Sequence, residues 1–416
     1  MKTTERPDVA SLGDKATPPS LAAMTLLPLP LPATRAAATA RLAAFLPRAG
    51  MAYAARRNED LPGHPHVSGL SPYIRHRLLT EAEAIDATLR AHPNGADKFL
   101  AELWWRTYWK GWLELRPGIW SAYRQGLAEA MNRLQVEGGL RQQWEAACKG
   151  ETGIDGFDTW AQDLAATGYL HNHARMWFAS IWIFTLRLPW ELGADFFLRH
   201  LIDGDPASNT LSWRWVGGLH TPGKTYAATP DNIAKNTGGR FRPKGLARDC
   251  APLRMVPHPA LRPVPEGDAM APGLPTALLL HEDDLAGDGF PHLPDGMPLL
   301  FLTTTARRST LAVNPLVHAF VEEALADTAR RHGQPDAPPF TDETLVALAD
   351  HLAAQGLRQL VTPYAPIGPT AAALQRLAPL LDDRGIRLAR LVRDHDASAW
   401  PHATHGFFRF REAVMG

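Results

Sequence analysis

Cysteine is scarce. The 416 residues hold two, Cys148 and Cys250, too few for a disulfide framework or an all-cysteine iron–sulfur cluster. That scarcity suits a reducing compartment, and the cytoplasm is the expected location. An excess of charge of one sign is also missing: 43 Lys and Arg balance 43 Asp and Glu. The balance excludes nucleic-acid binding by bulk charge while leaving room for a local basic groove. No run of 18 uncharged apolar residues occurs, so no membrane span is expected. The apolar stretch 21–31 is broken by Pro28 and Pro30, followed by Pro32, and it lacks a small-residue cleavage pattern, so no signal peptide is expected. There is no GxxxxGKS/T loop, no GxGxxG fingerprint and no GxSxG elbow. His171 and His173 have no two further ligands at usable spacing, so no metal site is expected.

What is abundant is tryptophan. There are 13, and all but Trp400 fall between Trp104 and Trp215. Such a set can pack a core, stack on planar ligands or bases, or pass electrons; packing is the commonest use.

The chain divides by its rhythm. Residues 1–33, rich in Pro, Thr and Ala, read as a loose arm. Residues 34–250 carry helical periodicity, with a helix from Thr34 to about Tyr53, another from Tyr73, and long patterns with aromatic faces over 97–135 and 157–200. Residues 216–250 are loop-like. Seven prolines in 251–275 mark a semi-stiff linker. From 276 to 416, short buried strands (276–280, 298–303, 358–362, 386–392) alternate with helices at 315–332, 341–356 and 370–383, and Asn314 is the expected N-cap of the first. The run His281–Glu282–Asp283–Asp284 after the first strand reads as a solvated loop. The expected fold is therefore multidomain: an all-helical domain followed by a small parallel-sheet α/β domain.

The polar residues of the tryptophan-rich stretch are selective. Asn172 and Arg175 lie i, i+3 on one helix among apolar neighbours. A charged Arg175 there needs a carboxylate, for which Asp203 and Asp205 are candidates.

This stretch resembles the FAD-binding domain of the photolyase/cryptochrome family. The residues that carry the resemblance are KGETGIDGFDTWAQDLAATGYLHNHARM, PWELGADFF and LIDGDPASNTLSWRW. Upstream, FLAELWWRTY (Phe99–Tyr108) is similar to the family helix with E-L-x-W-R. HVSGLSPYIRHRLLT (His66–Thr80) is similar to the loop T-S-x-L-S-P-Y-L-x-x-G-x-L-S that wraps the FAD phosphates, and Arg41–Asn58 is similar to the segment before it. The match covers about residues 36–245.

By position, the resemblance implies FAD contacts from Tyr53, Ser68, Gly69, Leu70, Ser71, Phe99, Arg106, Asn172, Arg175, Asp203, Gly204, Asp205 and Asn209, with Asn209 facing flavin N5. It implies a photoreduction chain of Trp213, Trp190 and a third indole, Trp120. It also implies a pocket for a cyclobutane pyrimidine dimer built from Glu102, Trp105, Met176 and Trp215. The implied activity is light-driven electron transfer from reduced FAD to such dimers in DNA, that of a deoxyribodipyrimidine photo-lyase. The alternatives are a cryptochrome-like photosensor and a flavoprotein of the same fold with another reaction.

Departures from the family pattern are visible. Gly69 replaces a larger side chain in the loop, Tyr169 a Trp, and His173 an Arg that grips DNA. Residues 224–248 differ too but are locally basic, with Lys224, Lys235, Arg240, Arg242, Lys244 and Arg248 against Asp231. The α/β domain follows the helical one instead of preceding it. Trp400–Phe410 is similar to the end of the family's antenna domain, so a permuted antenna-like domain is expected. Nothing in the sequence marks an antenna chromophore.

Overall fold

The computed structural model describes residues 31–254, 257–287, 290 and 296–415; most of the expected N-terminal arm lies outside them. Leu31 and Ala33, assigned to that arm, are buried. The helical part runs α1 (Arg35–Phe45), α2 (Met51–Arg56), α3 (Ser71–Arg75), α4 (Glu81–Ala91), α5 (Asp97–Glu114), α6 (Gly118–Val136), α7 (Gly138–Lys149), α8 (Phe157–Thr167), α9 (Asn172–Ser180), α10 (Trp190–His200), α11 (Pro206–Val216) and α12 (Pro230–Asn236). The helix expected from Tyr73 is split, because Thr80 and Glu83 form a capping box that starts α4 afresh. Pro117 separates α5 from α6, and α12 interrupts the stretch read as loop.

The second part adds β1 (Thr276–His281), β2 (Leu299–Thr303), α13 (Pro315–Arg331), β3 (Pro339–Thr341), α14 (Leu345–Ala354), β4 (Gln359–Pro363), α15 (Pro369–Asp382), β5 (Arg387–Leu391), α16 (Asp394–Ala399) and α17 (Phe407–Met415). All five strands are parallel, in the order β3-β2-β1-β4-β5. Strands covered on both faces read as continuous apolar runs, which is why LLLH and LLFL are buried end to end. The expected helix 341–356 is shorter, since Pro339–Thr341 pairs with β2 as an edge strand. Asn314 caps α13 by accepting from the Leu316 N–H at 2.9 Å.

Two features join the parts. First, the tip of β1 is not a solvated loop. Glu282, Asp283 and Asp284 are buried against arginines from distant segments. Arg75 holds Asp283 at 2.5 Å and the Gly204 carbonyl at 2.8 Å. Arg77 holds Asp284, Asp396 and Glu81 at 2.9, 2.5 and 3.2 Å. Arg393 also reaches Asp284, Lys110 reaches Glu81, and Arg308 faces Glu282. Burial alone would raise the Asp284 carboxyl, but Arg393 and Arg77 outweigh it and hold it well below the usual range; Lys110 and Arg77 do the same for Glu81. Arg77 sits at φ 50°, a left-handed conformation, where the family loop pattern has glycine.

Second, residues 394–415 do not close the α/β domain. They return to α5: Trp400 lies over Gly111, where an added Cβ would stand 2.6 Å from the indole, and Phe407 and Phe410 pack into the aromatic cluster of Tyr108, Trp109 and Trp112. The tail is thus helical-part packing supplied by the end of the chain. The described residues of 251–275 have no regular structure but are pinned along the surface, as by Arg262 N–H to Leu115 O at 2.9 Å.

Candidate functional site

One cavity of about 150 Å³ opens among α2, α5, α9, the Val67–Ser71 loop and the turn between α10 and α11. On α5, Phe99, Glu102, Leu103 and Arg106 face it at i, i+3, i+4 and i+7, a single helical stripe. Tyr53 and Arg57, one turn apart, come from α2, and Asn172 and Arg175 from the first turn of α9. Tyr53 meets Phe99 edge-on at 5.3 Å. The loop is fixed from behind by Arg41 Nε on the Ser68 carbonyl at 2.8 Å and by Arg48 on the Pro65 carbonyl at 2.7 Å. Gly69 takes φ 64°, a backbone conformation that suits glycine there.

At the cavity floor, Arg175 donates to both Asp203 oxygens at 3.0 Å, and its Nε to the Leu170 carbonyl at 2.8 Å. Arg106 stands 3.8 Å from the same carboxylate. Burial pushes the Asp203 carboxyl up, but Arg175 and Arg106 prevail and hold it below the usual range. Arg57 is ion-paired with Glu102. The lining thus sets three guanidinia against two carboxylates, between aromatic rings. Two serine hydroxyls and the Asn172 amide complete a donor-rich wall.

Of the residues expected from sequence, Tyr53, Ser68, Gly69, Leu70, Ser71, Phe99, Glu102, Arg106, Asn172, Arg175 and Asp203 line this cavity. Six do not. Gly204 is packed against the Leu198 and Leu201 carbonyls. Asp205 caps α11, accepting from the Ser208 N–H at 2.7 Å, and stands 4.0 Å from Arg75. Asn209 is buried, and its amide donates to the Ala194 carbonyl at 2.8 Å. Met176 is half-buried outside the lining. Trp215 stacks on Tyr226 at 5.6 Å. Trp105 is half-buried, and the Phe407 ring lies flat on one of its faces at 3.8 Å and 8°.

Of the three indoles expected to form a chain, no two are in direct ring contact. Trp213 has Phe197, Trp182 and Phe178 as ring neighbours, at 5.1, 6.2 and 6.5 Å, and not Trp190. Trp190 meets Tyr123 at 5.6 Å, and Tyr123 meets Trp120 at 5.2 Å. Sequence reading missed Trp182 and Tyr123. It also missed the lining residues Tyr169 and Leu170, although both precede the HNHAR motif directly. In the basic segment, Arg240 is drawn inward to Asp60 and Arg242 pairs with Asp231, which reduces its free charge. Among the described residues no cluster fit for a metal occurs and no helix is long and apolar enough to cross a membrane.

Residues 99–239 match the family model described as the FAD binding domain of DNA photolyase. The deoxyribodipyrimidine photo-lyase of Thermus thermophilus is 35 % identical over 221 residues, covering 53 % of this chain and 50 % of that protein. That of Streptomyces griseus is 34 % identical over 165 residues, covering 39 % and 34 %, and that of Vibrio cholerae is 28 % identical over 198 residues, covering 45 % and 40 %. The chain thus spans half or less of the length of these relatives. Among solved structures, a class III photolyase from Agrobacterium tumefaciens aligns with a TM-score of 0.42 and 25 % identity, over 56 % of this chain and 49 % of that one. Through the domain that holds the cavity, the chain is similar to the FAD binding domain of DNA photolyase.

Proposed function

We propose that this chain binds FAD in the cavity and, driven by blue light, passes an electron from the reduced cofactor to cyclobutane pyrimidine dimers in DNA. The observation that carries the reading is the Arg175–Asp203 pair on the floor of a cavity walled by the Ser68–Ser71 loop. The donor set fits FAD: hydroxyls and guanidinia for a diphosphate, and aromatic edges for a purine. When bound, FAD supplies light absorption and one-electron chemistry that no side chain here possesses. Ser68, Ser71 and Arg106 would hold the charged middle of the molecule. Tyr53 and Phe99 would wall off its adenine, and Asp203 keeps Arg175 oriented. Glu102 would meet a dimer after leaving Arg57.

The stack of Phe407 on Trp105 favours a second reading, a photosensor whose C-terminal helix is its output. Reduced protein, illuminated with DNA carrying a cyclobutane dimer, distinguishes the two. Light-dependent loss of dimers is expected. If dimers persist while light speeds proteolysis of the C-terminal helix, the repair reading fails and the sensor reading stands. A colourless purified chain that takes up no FAD defeats both.

A further inference from the structure

The last helix carries an aromatic ring that packing does not explain. On α17, Phe407 and Phe410 are buried, while Phe408 between them is 70 % exposed. It is the only aromatic among the exposed large hydrophobic side chains of the described residues. Folding gains little from a ring left in water. Yet Phe408 is braced: Phe407 meets it edge-on at 6.1 Å, and the Arg411 guanidinium lies 5.9 Å from its centre. Phe407 in turn lies flat on Trp105. Glu102, one turn before that indole, and Arg106, the next residue after it, both line the cavity. A ring held out on such a stack offers its face to another flat group. The charge around it is positive. Arg409 is exposed and Arg411 half-buried, and neither is ion-paired among the described residues; Glu412 is the only acid on the helix. Lys224 is exposed on the loop after α11. That loop and the tail meet at Tyr108, whose hydroxyl donates to the His405 carbonyl at 2.8 Å and stands 3.4 Å from His220 Nε2. Elsewhere the expected DNA grip is engaged internally: Arg240 with Asp60, Arg242 with Asp231, and His173 with the Asn58 carbonyl and the Tyr226 hydroxyl, each at 3.1 Å.

We propose that α17 is a DNA-docking element: Phe408 stacks on a base face uncovered beside a flipped dimer, and Arg409 and Arg411, with Lys224, hold the flanking phosphates. The proposal rests on the dimer-repair reading above and names the surface on which that DNA lies. A dimer reaches an enclosed site only by leaving the duplex stack, and the gap it leaves uncovers the faces of neighbouring bases. An aromatic ring covers such a face whatever the sequence, and guanidinia follow the backbone. Three cations against one carboxylate suit a polyanion. A protein partner fits less well, since a single ring makes only a small apolar patch.

The full chain as purified, kept in the dark, tests this by fluorescence anisotropy with two labelled duplexes, one carrying a central cyclobutane thymine dimer and one intact. Phe408→Ala should bind the dimer duplex about tenfold more weakly and the intact duplex as before, because an intact stack offers no free base face. Phe408→Trp should restore the affinity, which a purely structural role at this position would not produce. Arg409→Gln combined with Arg411→Gln should weaken binding of both duplexes. It should also lower the slope of log affinity against log salt by about 1.8, the value for two lost phosphate contacts. Equal affinity of Phe408→Ala for the dimer duplex, or an unchanged salt slope in the double variant, overturns the docking element. Dark binding is separable from repair. If the chain binds the dimer duplex through Phe408 but splits no dimers in light, the repair reading fails and the docking element stands. Repair by a chain whose binding ignores Phe408 does the reverse.

Discussion

Replacing Arg77 by methionine removes one cation from three buried carboxylates. Two keep a partner: Asp284 retains Arg393, and Glu81 retains Lys110. Asp396 has no other salt bridge among the described residues and becomes a buried charge without compensation. Breaking a buried pair from one side costs about 3–5 kcal/mol, and methionine relieves none of the backbone strain at φ 50°. Arg77→Gly loses the same charge but removes the left-handed penalty, so it should be about 1 kcal/mol less damaging. Asp396→Asn in the Arg77→Met background should return about 2 kcal/mol, since it removes the orphaned charge. Urea unfolding at pH 7, followed by tryptophan fluorescence, measures all three. The sign with pH also follows. Asp284 and Glu81 are held below their unfolded values, so the stability they contribute is present above about pH 4 and is lost as pH falls through their depressed folded values. The gap between the unaltered chain and Arg77→Met should therefore be widest above about pH 5 and narrow progressively as pH falls below about 4. A loss under about 1 kcal/mol at pH 7, or no recovery with Asp396→Asn, refutes the account.

The Glu114 carboxyl is pushed up to about 7 by burial, against the Ile367 N–H at 2.6 Å and the Tyr364 hydroxyl at 2.8 Å. Its folded value exceeds its unfolded one, so its contribution fades as pH rises from about 5 through 7; unfolding from pH 5 to 8 should show Glu114→Gln losing about 2–3 kcal/mol less stability than the unaltered chain. Phe407→Ala should cost about 3–5 kcal/mol and expose Trp105 to iodide quenching, whereas unchanged quenching would deny the stack. Gly193→Ala would place a methyl 2.3 Å from the Trp213 ring and 2.9 Å from Trp182. A loss of about 1–3 kcal/mol with a shifted tryptophan emission is expected in thermal melts, and wild-type emission and melting would contradict it.

Local chemistry was legible where one stretch of chain contained its own answer. Asn314 before Pro315 announced a helix start, and LLLH and LLFL announced buried parallel strands. Arg175 among apolar residues required a carboxylate, and Asp203 supplies it. What failed depended on partners far away in the chain. The acidic run 281–284 looked hydrated because its cations lie elsewhere; Arg77 is separated from Asp284 by 207 positions and from Asp396 by 319. Trp105 looked free because nothing near it in sequence foretells Phe407. Which rings touch was not legible, because helix periodicity fixes which face a ring occupies and not which ring on another helix it meets. Tyr123 was overlooked for the same reason.

The return of residues 394–415 to α5 bears on how the protein is made. A ribosome releases α5 long before it releases Trp400 and Phe407, so for most of synthesis the aromatic face of that helix has no cover. Cover for that face therefore waits for residues made much later, whereas domains of a multidomain chain usually complete their packing in the order of synthesis. Nascent chains stalled before residue 394 should bind holdase chaperones through that face, and completion of the last two helices should release them.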